Sequence, residues 1–408
     1  MKNRIVTAID VGTTKICTII AEVNPVGGVN VVGVGIGPSQ GLHKGLVVNI
    51  NDARESIRES IRKAEQASGY KVESAYVGVT GRHVTSMNNK GVVAITRNDR
   101  LVRSDDLKRV MATAQNISVP NDRKLLHVIP RTYAVDGQSG VKNPVGMHGF
   151  RLDVETHIIT AAATSVQNLV KCIRGLGIDI DDLVLEPIAS SEAVLTDDEK
   201  QVGVILADIG GGTTDICVFK DGSIWHTAII PVAGYQLTRD VAIGLGLPFD
   251  VAEEMKKRYG SVLPVYETKM ESPSPICEDG HGVSYQDLCD IIRARVEEVL
   301  RLIMLEIPNS DYDSLVPAGL VLTGGSSNLA GMETLGRDIL RIPVRVGNPD
   351  KVYGIVDSLH DPAYATGVGL LLWGAKHQPV KKSWLDNIGF FGRMRNLLKG
   401  FAGLFGTN

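Results

Sequence analysis

The sequence is thin in several features that would assign a chain quickly. Aromatic residues occupy only 5% of its 408 positions. Its five cysteines, Cys17, Cys172, Cys217, Cys277 and Cys289, form no Cys-x-x-Cys pair, and no histidine cluster stands at metal-ligand spacing. That excludes a disulfide framework and a zinc site, and it points to a reducing compartment. No apolar run has the length of a bilayer-spanning helix. The start, MKNRIVTAID, lacks the charged, apolar and small-residue regions of a signal peptide, so the chain is expected to stay in the cytoplasm. Neither sign of charge dominates, since 43 Lys and Arg against 46 Asp and Glu leave −3, which argues against a dedicated nucleic-acid binder.

What is present suffices for a full core and two or three domains: 43% of residues are hydrophobic and 22% charged. The charge is unevenly placed. From Lys376 onward there are six cations and one anion, so a basic tail follows an acidic body and implies an anionic surface as partner.

One near-repeat organises the chain. Ala8-Ile-Asp-Val-Gly-Thr-Thr-Lys-Ile-Cys17 returns as Ala207-Asp-Ile-Gly-Gly-Gly-Thr-Thr-Asp-Ile-Cys217. Each copy follows one apolar run and leads into another, so each reads as a hairpin with a Gly-Thr turn. Two lobes, each offering a turn to a shared cleft, are expected. The first lobe is assigned to 1–83 and 161–205, the second to 206–376, with a smaller subdomain about 234–315 and a returning Gly/Ala-rich helix at 362–376. Between the two parts of the first lobe, 84–160 reads as a small inserted α+β domain. It has a strand at Gly91–Ile95, a helix opened by Ser104, long strands at Lys124–Val135 and Phe150–Thr160, and a loop at Asp136–His148. Elsewhere, helices are expected at Asn51–Ser68, capped by Asn51 or Asp52, and at Ser165–Leu176, stopped by Gly177. Further helices are expected from Glu186 to Val194, Val251 to Tyr259 and Tyr285 to Glu306. Glu267–Gly282 reads as a loop and Val316–Thr323 as a buried strand. Gly33-Val-Gly-Ile-Gly37 is no dinucleotide fingerprint, because Pro38 follows and no helix opens there.

The repeated turns carry the chemistry. Converging backbone N–H groups at Gly12, Thr13 and Thr14, and at Gly210, Gly211, Gly212 and Thr213, make two concave anion sites. Asp10 and Asp208 precede them and suit a magnesium ion held through waters. A single such turn is no more than a tight hairpin; the duplication argues for a triphosphate with its metal. A third element, Gly324, Gly325 and Ser326, follows a buried strand and lets a base or ribose lie against backbone. A fourth places Glu253 and Lys256 on one helix face.

In this order the elements resemble the actin and heat-shock chaperone ATPase superfamily, in which two phosphate loops, two connecting helices and an adenosine loop enclose ATP and magnesium. The resemblance implies that Asp10 and Asp208 organise the metal and that Lys15 lies near the phosphates. It implies that Glu186 positions the attacking water and that Gly234 lies near phosphate and ribose. Glu253 and Lys256 would then meet ribose and adenine, and Gly324, Gly325 and Ser326 would surround the base. Any turnover would be slow or regulatory.

After a polar linker at 377–383, residues 384–405 fit an amphipathic helix. At 100° per residue the bulky apolar side chains gather on one side, broken only by Asn387, with Leu385 alone on the polar side. Trp384, Ile388, Phe391, Met394, Leu398, Phe401 and Phe405 are read as entering a lipid surface, with Arg393, Arg395 and Lys399 at its headgroups. Gly389, Gly392, Gly400 and Gly403 each cost about 1 kcal/mol of helix stability, so lipid contact is needed for the segment to fold.

Cleft, insert and tail together resemble the bacterial FtsA cell-division family. Gly35-Ile-Gly-Pro-Ser-Gln-Gly-Leu-His-Lys-Gly45, Tyr76-Val-Gly-Val-Thr-Gly81, His127-Val-Ile-Pro-Arg-Thr-Tyr133 and Asp208-Ile-Gly-Gly-Gly-Thr-Thr-Asp215 carry the likeness. It implies an ATP-binding protein that polymerises on the cytoplasmic face of the inner membrane, anchors the tail of FtsZ and recruits later division proteins. FtsZ would dock near Arg293, Arg295 and Arg301. The alternatives are a PilM-like pilus-assembly ATPase adaptor, which should lack the tail, an MreB-like filament, which has no insert, and a kinase, which needs a substrate base.

Overall fold

The two copies of the repeat open two sheets of the same plan in a computed structural model that describes residues 3–117, 119–263, 276–278, 281–307, 316–355 and 357–377. In the first sheet β1 (Arg4–Val11) and β2 (Lys15–Val23) form the hairpin, and β3 (Val29–Pro38) continues it antiparallel. Strands β6 (Ser74–Val79) and β11 (Asp179–Leu185) then add in parallel on the β1 side. The second sheet repeats this with β12 (Val204–Ile209), β13 (Thr214–Lys220) and β14 (Ser223–Ile230), followed by parallel β17 (Leu320–Thr323) and β18 (Val344–Val346). A short β19 (Tyr353–Gly354) extends the first sheet beside β3. Strand β12 is buried along its whole length, because helices cover both faces of its sheet.

Helices α4 (Glu186–Val194) and α10 (Ala365–Lys376) form the wall shared by the two sheets. Their apolar residues Ile188, Ala189, Val368 and Leu371 join one core with Ile19 of the first sheet and Leu206 and Phe219 of the second. The small residues have a cause here. A Cβ at Gly369 would stand 1.8 Å from the Ala189 carbonyl oxygen, so the helix backbones touch at that point. The other face of the second sheet is covered by α6 (Gly234–Leu245), α7 (Phe249–Tyr259), α8 (Tyr285–Leu305) and α9 (Met332–Leu340). The first sheet carries α1 (Ile50–Ser68), with α3 (Ala163–Arg174) beside it and α5 (Asp197–Val202) before β12.

Between β6 and α3 the chain builds a third sheet, in the order β7 (Val84–Ala94), β10 (Arg151–Ala162), β8 (Arg123–Val135), β9 (Gln138–Val141). Helix α2 (Ser104–Gln115) packs on it over a core of Val93, Val110, Leu152 and Val154. This sheet rests against β14, where Ser86 Oγ donates to the Thr227 carbonyl at 2.9 Å and His157 Nε2 lies 3.0 Å from Thr227 Oγ1.

Several boundaries differ from the sequence reading. Asn49, not Asn51 or Asp52, caps α1, its carboxamide oxygen accepting from the N–H groups of both; such a cap is worth about 1 kcal/mol. Helix α3 begins at Ala163 and ends at Arg174; its last turn tightens to i→i+3 bonds running on to Gly177, so Gly175 is the cap. The strand expected at Gly91–Ile95 starts at Val84, since its exposed polar half pairs along β10. The loop expected at Asp136–His148 contains β9, which turns back on β8 at Asp136-Gly137, both with positive φ. Strand β17 starts at Leu320 rather than Val316, because Gly319 closes a turn onto Val316. Within 267–282, the described residues form a small hairpin of β15 (Ile276–Glu278) and β16 (His281–Val283). A further hairpin, β4 (Leu42–His43) with β5 (Leu46–Val47), follows β3.

Candidate functional site

The two hairpin turns face each other. A Cβ at Gly211 would fall 1.9 Å from Thr14 Oγ1, and one at Gly212 2.6 Å from Thr13 Oγ1, so the glycines of the second turn receive the threonines of the first. Around this junction lies a cavity of about 920 Å³. It is lined by Asp10, Gly12, Thr13, Thr14, Lys15, Glu186, Asp208, Gly210, Gly211, Gly212, Thr213, Gly234, Glu253, Lys256, Gly324, Gly325 and Ser326. Every residue assigned to the cleft from the sequence therefore meets there.

The floor is acidic. Asp208 accepts from Ser190 Oγ at 2.6 Å and from Thr366 Oγ1 at 3.0 Å, contacts supplied by α4 and α10. Asp10 and Asp208 are both buried, and burial drives their pKa values up, Asp10 to about 7. Glu186, the first residue of α4, is raised well above the ordinary carboxyl range by burial and by repulsion from Asp10, Asp215 and Asp208. Asp215 is a fourth acid that the sequence reading passed over. It accepts from Thr213 Oγ1 at 2.9 Å and from the Thr80 hydroxyl, and burial lifts it to about 7. The signal for it was present, since the ladder places Asp215 directly across from Asp208. Thr80, Ser190, Thr366 and the aromatic pair Tyr235 and Phe249, whose ring centroids are 5.0 Å apart, also escaped the motif reading.

The Lys15 ammonium donates to the Ala363 carbonyl at 2.5 Å and lies 4.4 Å from the Tyr364 ring centre. Glu253 and Lys256 do not form a solvated pair. Lys256 is 9% exposed, and its Nζ reaches Glu253 at 2.7 Å, Thr238 Oγ1 at 2.9 Å and the Gly234 carbonyl at 3.3 Å. Ser326 Oγ donates to the Gly210 carbonyl at 2.9 Å and so links the third element to the second turn. Gly324 has φ of +84°, and a Cβ there would stand 2.3 Å from Asp208 Oδ1.

A hard, oxygen-ligating cation held through waters fits this donor set of buried carboxylates that repel one another. Among the described residues no three acidic, thiol or imidazole groups converge into a direct metal cage. Arg293, Arg295 and Arg301 lie on α8 away from the cavity, each already paired: Arg293 and Arg301 with Glu297 at 3.2 and 3.3 Å, Arg295 with Asp240 at 2.5 Å and with Glu298. The residues assigned to a lipid surface, 384–405, lie outside the described residues. No described helix is long and apolar enough to cross a membrane.

Two sheets of one plan around such a cleft define an actin-like ATPase fold. Solved structures share it: a PilM-PilN type IV pilus biogenesis complex matches with a TM-score of 0.63 at 17% identity, over 91% of this chain and 98% of that one. MreB5 of Spiroplasma citri bound to ADP matches with 0.54 at 13% identity, over 90% and 94%. Family models narrow the class, since that for cell division protein FtsA matches residues 205–369 and that for the SHS2 domain inserted in FtsA matches 81–160. The cell division protein FtsA of Pseudomonas aeruginosa is 43% identical over 379 residues, 92% of this chain and 90% of that protein. The chain belongs to the FtsA family of bacterial cell-division proteins.

Proposed function

We propose that this chain binds ATP with magnesium in the cleft, assembles into filaments and ties FtsZ filaments to the cytoplasmic face of the inner membrane, where it recruits later division proteins. The observation that carries the nucleotide part is the meeting of two glycine-threonine turns, each led by a buried aspartate, in one cavity. Asp10 and Asp208 would hold the ion through waters. Bound there, magnesium neutralises phosphate charge. Glu186 orients a water toward the terminal phosphate, Lys15 faces the phosphates, and the Glu253–Lys256 pair with Gly324, Gly325 and Ser326 frames the nucleoside. Phosphoryl transfer to water needs positioning and charge stabilisation more than covalent chemistry; the slow or regulatory turnover rests on the family likeness alone.

The tail reading rests on the apolar face and flanking cations of 384–405. One weak helix binds lipid marginally, so many copies on a filament would give firm attachment. FtsZ is assigned to the second lobe's helical subdomain, about 234–315. There Arg293, Arg295 and Arg301 would have to exchange their internal carboxylates for those of a peptide. A PilM-like role is not favoured by any observation, since the pilus complex shares the fold alone.

Calorimetry with ATP, with and without magnesium, and sedimentation with vesicles containing anionic lipid test the two halves of this reading separately. The full chain should bind ATP and pellet with vesicles, while a chain ending at Lys376 should bind ATP equally and lose at least about tenfold in pelleting. Equal pelleting of the two would remove the tail from the account.

A further inference from the structure

A second cavity of about 20 Å³ shares Thr80 and Glu186 with the open cleft and is otherwise bounded by Gly45, Gly78, His83 and Ser165 among apolar side chains of the first lobe. It has room for a single water. The Glu186 side chain stands over Gly78, its Oε1 3.2 Å from where a Cβ would be, so the absence of a side chain at Gly78 makes its place. His83 is the unusual wall. Both of its ring nitrogens are buried, and neither has a hydrogen-bond partner among the described residues. Buried polar atoms of a native chain are seldom left so, and two on one ring beside a water-sized space call for a polar guest. Burial and nearby Arg123 push the His83 pKa down to about 4, which keeps the ring neutral, with one donor and one acceptor to offer.

The backbone that carries the ring is held firmly. The His83 carbonyl accepts from Arg123 Nη2 at 3.1 Å and from Ala162 N at 3.3 Å, where the chain leaves the first lobe for the third sheet and comes back. Arg123 reaches Thr160 Oγ1 at 2.9 Å from the same guanidinium, so the His83 backbone is fixed to the root of that sheet.

We propose that His83 is a positioning residue, whose imidazole holds the Glu186 carboxyl through one bridging water and so aims it at the water that attacks the nucleotide. The inference rests on the cleft reading above and deepens it. His83 touches no reacting atom; it acts only through Glu186.

The full-length chain and its His83→Phe and His83→Gln variants test this, with ATP·Mg affinity measured by calorimetry and hydrolysis measured in a single turnover. Phe fills the space without polar atoms, whereas Gln restores a donor and an acceptor. The expected result is a loss of at least about tenfold in turnover for His83→Phe, with affinity within about twofold, and recovery to within about threefold for His83→Gln. A crystal structure of the parent should also show a water within about 3.2 Å of a His83 nitrogen. Unchanged turnover in His83→Phe, equal loss in both variants, an empty cavity, or a parent that binds ATP without ever cleaving it would each overturn the inference. A parent that binds no ATP overturns the cleft reading itself and this inference with it, and the calorimetry tells the two failures apart.

Discussion

The two halves of the molecule share a strand order and differ in the chemistry placed on it. In the first, Asp10 stands across the hairpin from Cys17; in the second, Asp208 stands across from Asp215. The second turn carries two additional glycines. Matching the text therefore sets Asp215 beside Lys15, whereas the ladder sets it where the first half has a cysteine. Duplicated backbone has thus become a cation-facing half and a doubly acidic half. Asp208 is also tied to Ser190 and Thr366, while Asp10 shares its half with the cation of Lys15. Like charges directly opposite in a ladder destabilise it, so the second hairpin carries a cost that a bound cation would relieve.

That comparison breaks most visibly at Asp208. Asp208→Ala should lower Mg·ATP affinity at least about 100-fold, near 2.7 kcal/mol, while Asp10→Ala should cost about tenfold. Equal losses by calorimetry would mean that the halves contribute alike. Next comes the buried Glu253–Lys256 pair of the second half. Lys256→Met removes the buried partner of Glu253, leaving it Thr238 and the more exposed Lys257 at 3.3 Å, and should destabilise the folded chain by about 2 kcal/mol in urea unfolding. A loss below about 0.5 kcal/mol would return the pair to the class of surface ion pairs.

The smallest effect concerns pH. Asp10 and Asp215 rise from 3.8 to about 7 on folding, so between these values the native chain holds protons that the unfolded chain has released. Their contribution is therefore most favourable below about pH 4 and is lost as pH rises toward 7. Asp215→Asn removes one of the two. In metal-free and nucleotide-free buffer it should raise stability relative to the parent by about 1 kcal/mol at pH 8, with the gain shrinking toward pH 4. A gain that grows toward acid would contradict the burial of that carboxyl.

Much of the site could be read in the sequence because its elements are local. Gly-Thr turns after apolar strands, the Glu186-Pro187 helix start and the Gly324-Gly325 corner are each written in consecutive residues. The parts not legible depend on distance or register. Thr366 reaches Asp208 from 158 residues away, and Asp215 enters the cleft only through the hairpin ladder. The basic face of α8 shows the same limit. Arg295 has Glu298 three residues along its own helix, but its other partner, Asp240 of α6, lies 55 residues earlier. Caps near a helix start slipped by two residues, at Asn49, because several adjacent polar side chains satisfy the same preference.

The chain leaves the first lobe for the third sheet and rejoins it at one place, where Ala162 N meets the His83 carbonyl at 3.3 Å. Its two ends are within one hydrogen bond of each other, so insertion leaves the path of the first lobe's chain on either side unbroken. A lineage could lengthen its outer edge at β9, which pairs only with β8 in that sheet, and alter what the molecule's flank touches while the strand order of the duplicated sheets stays as it was.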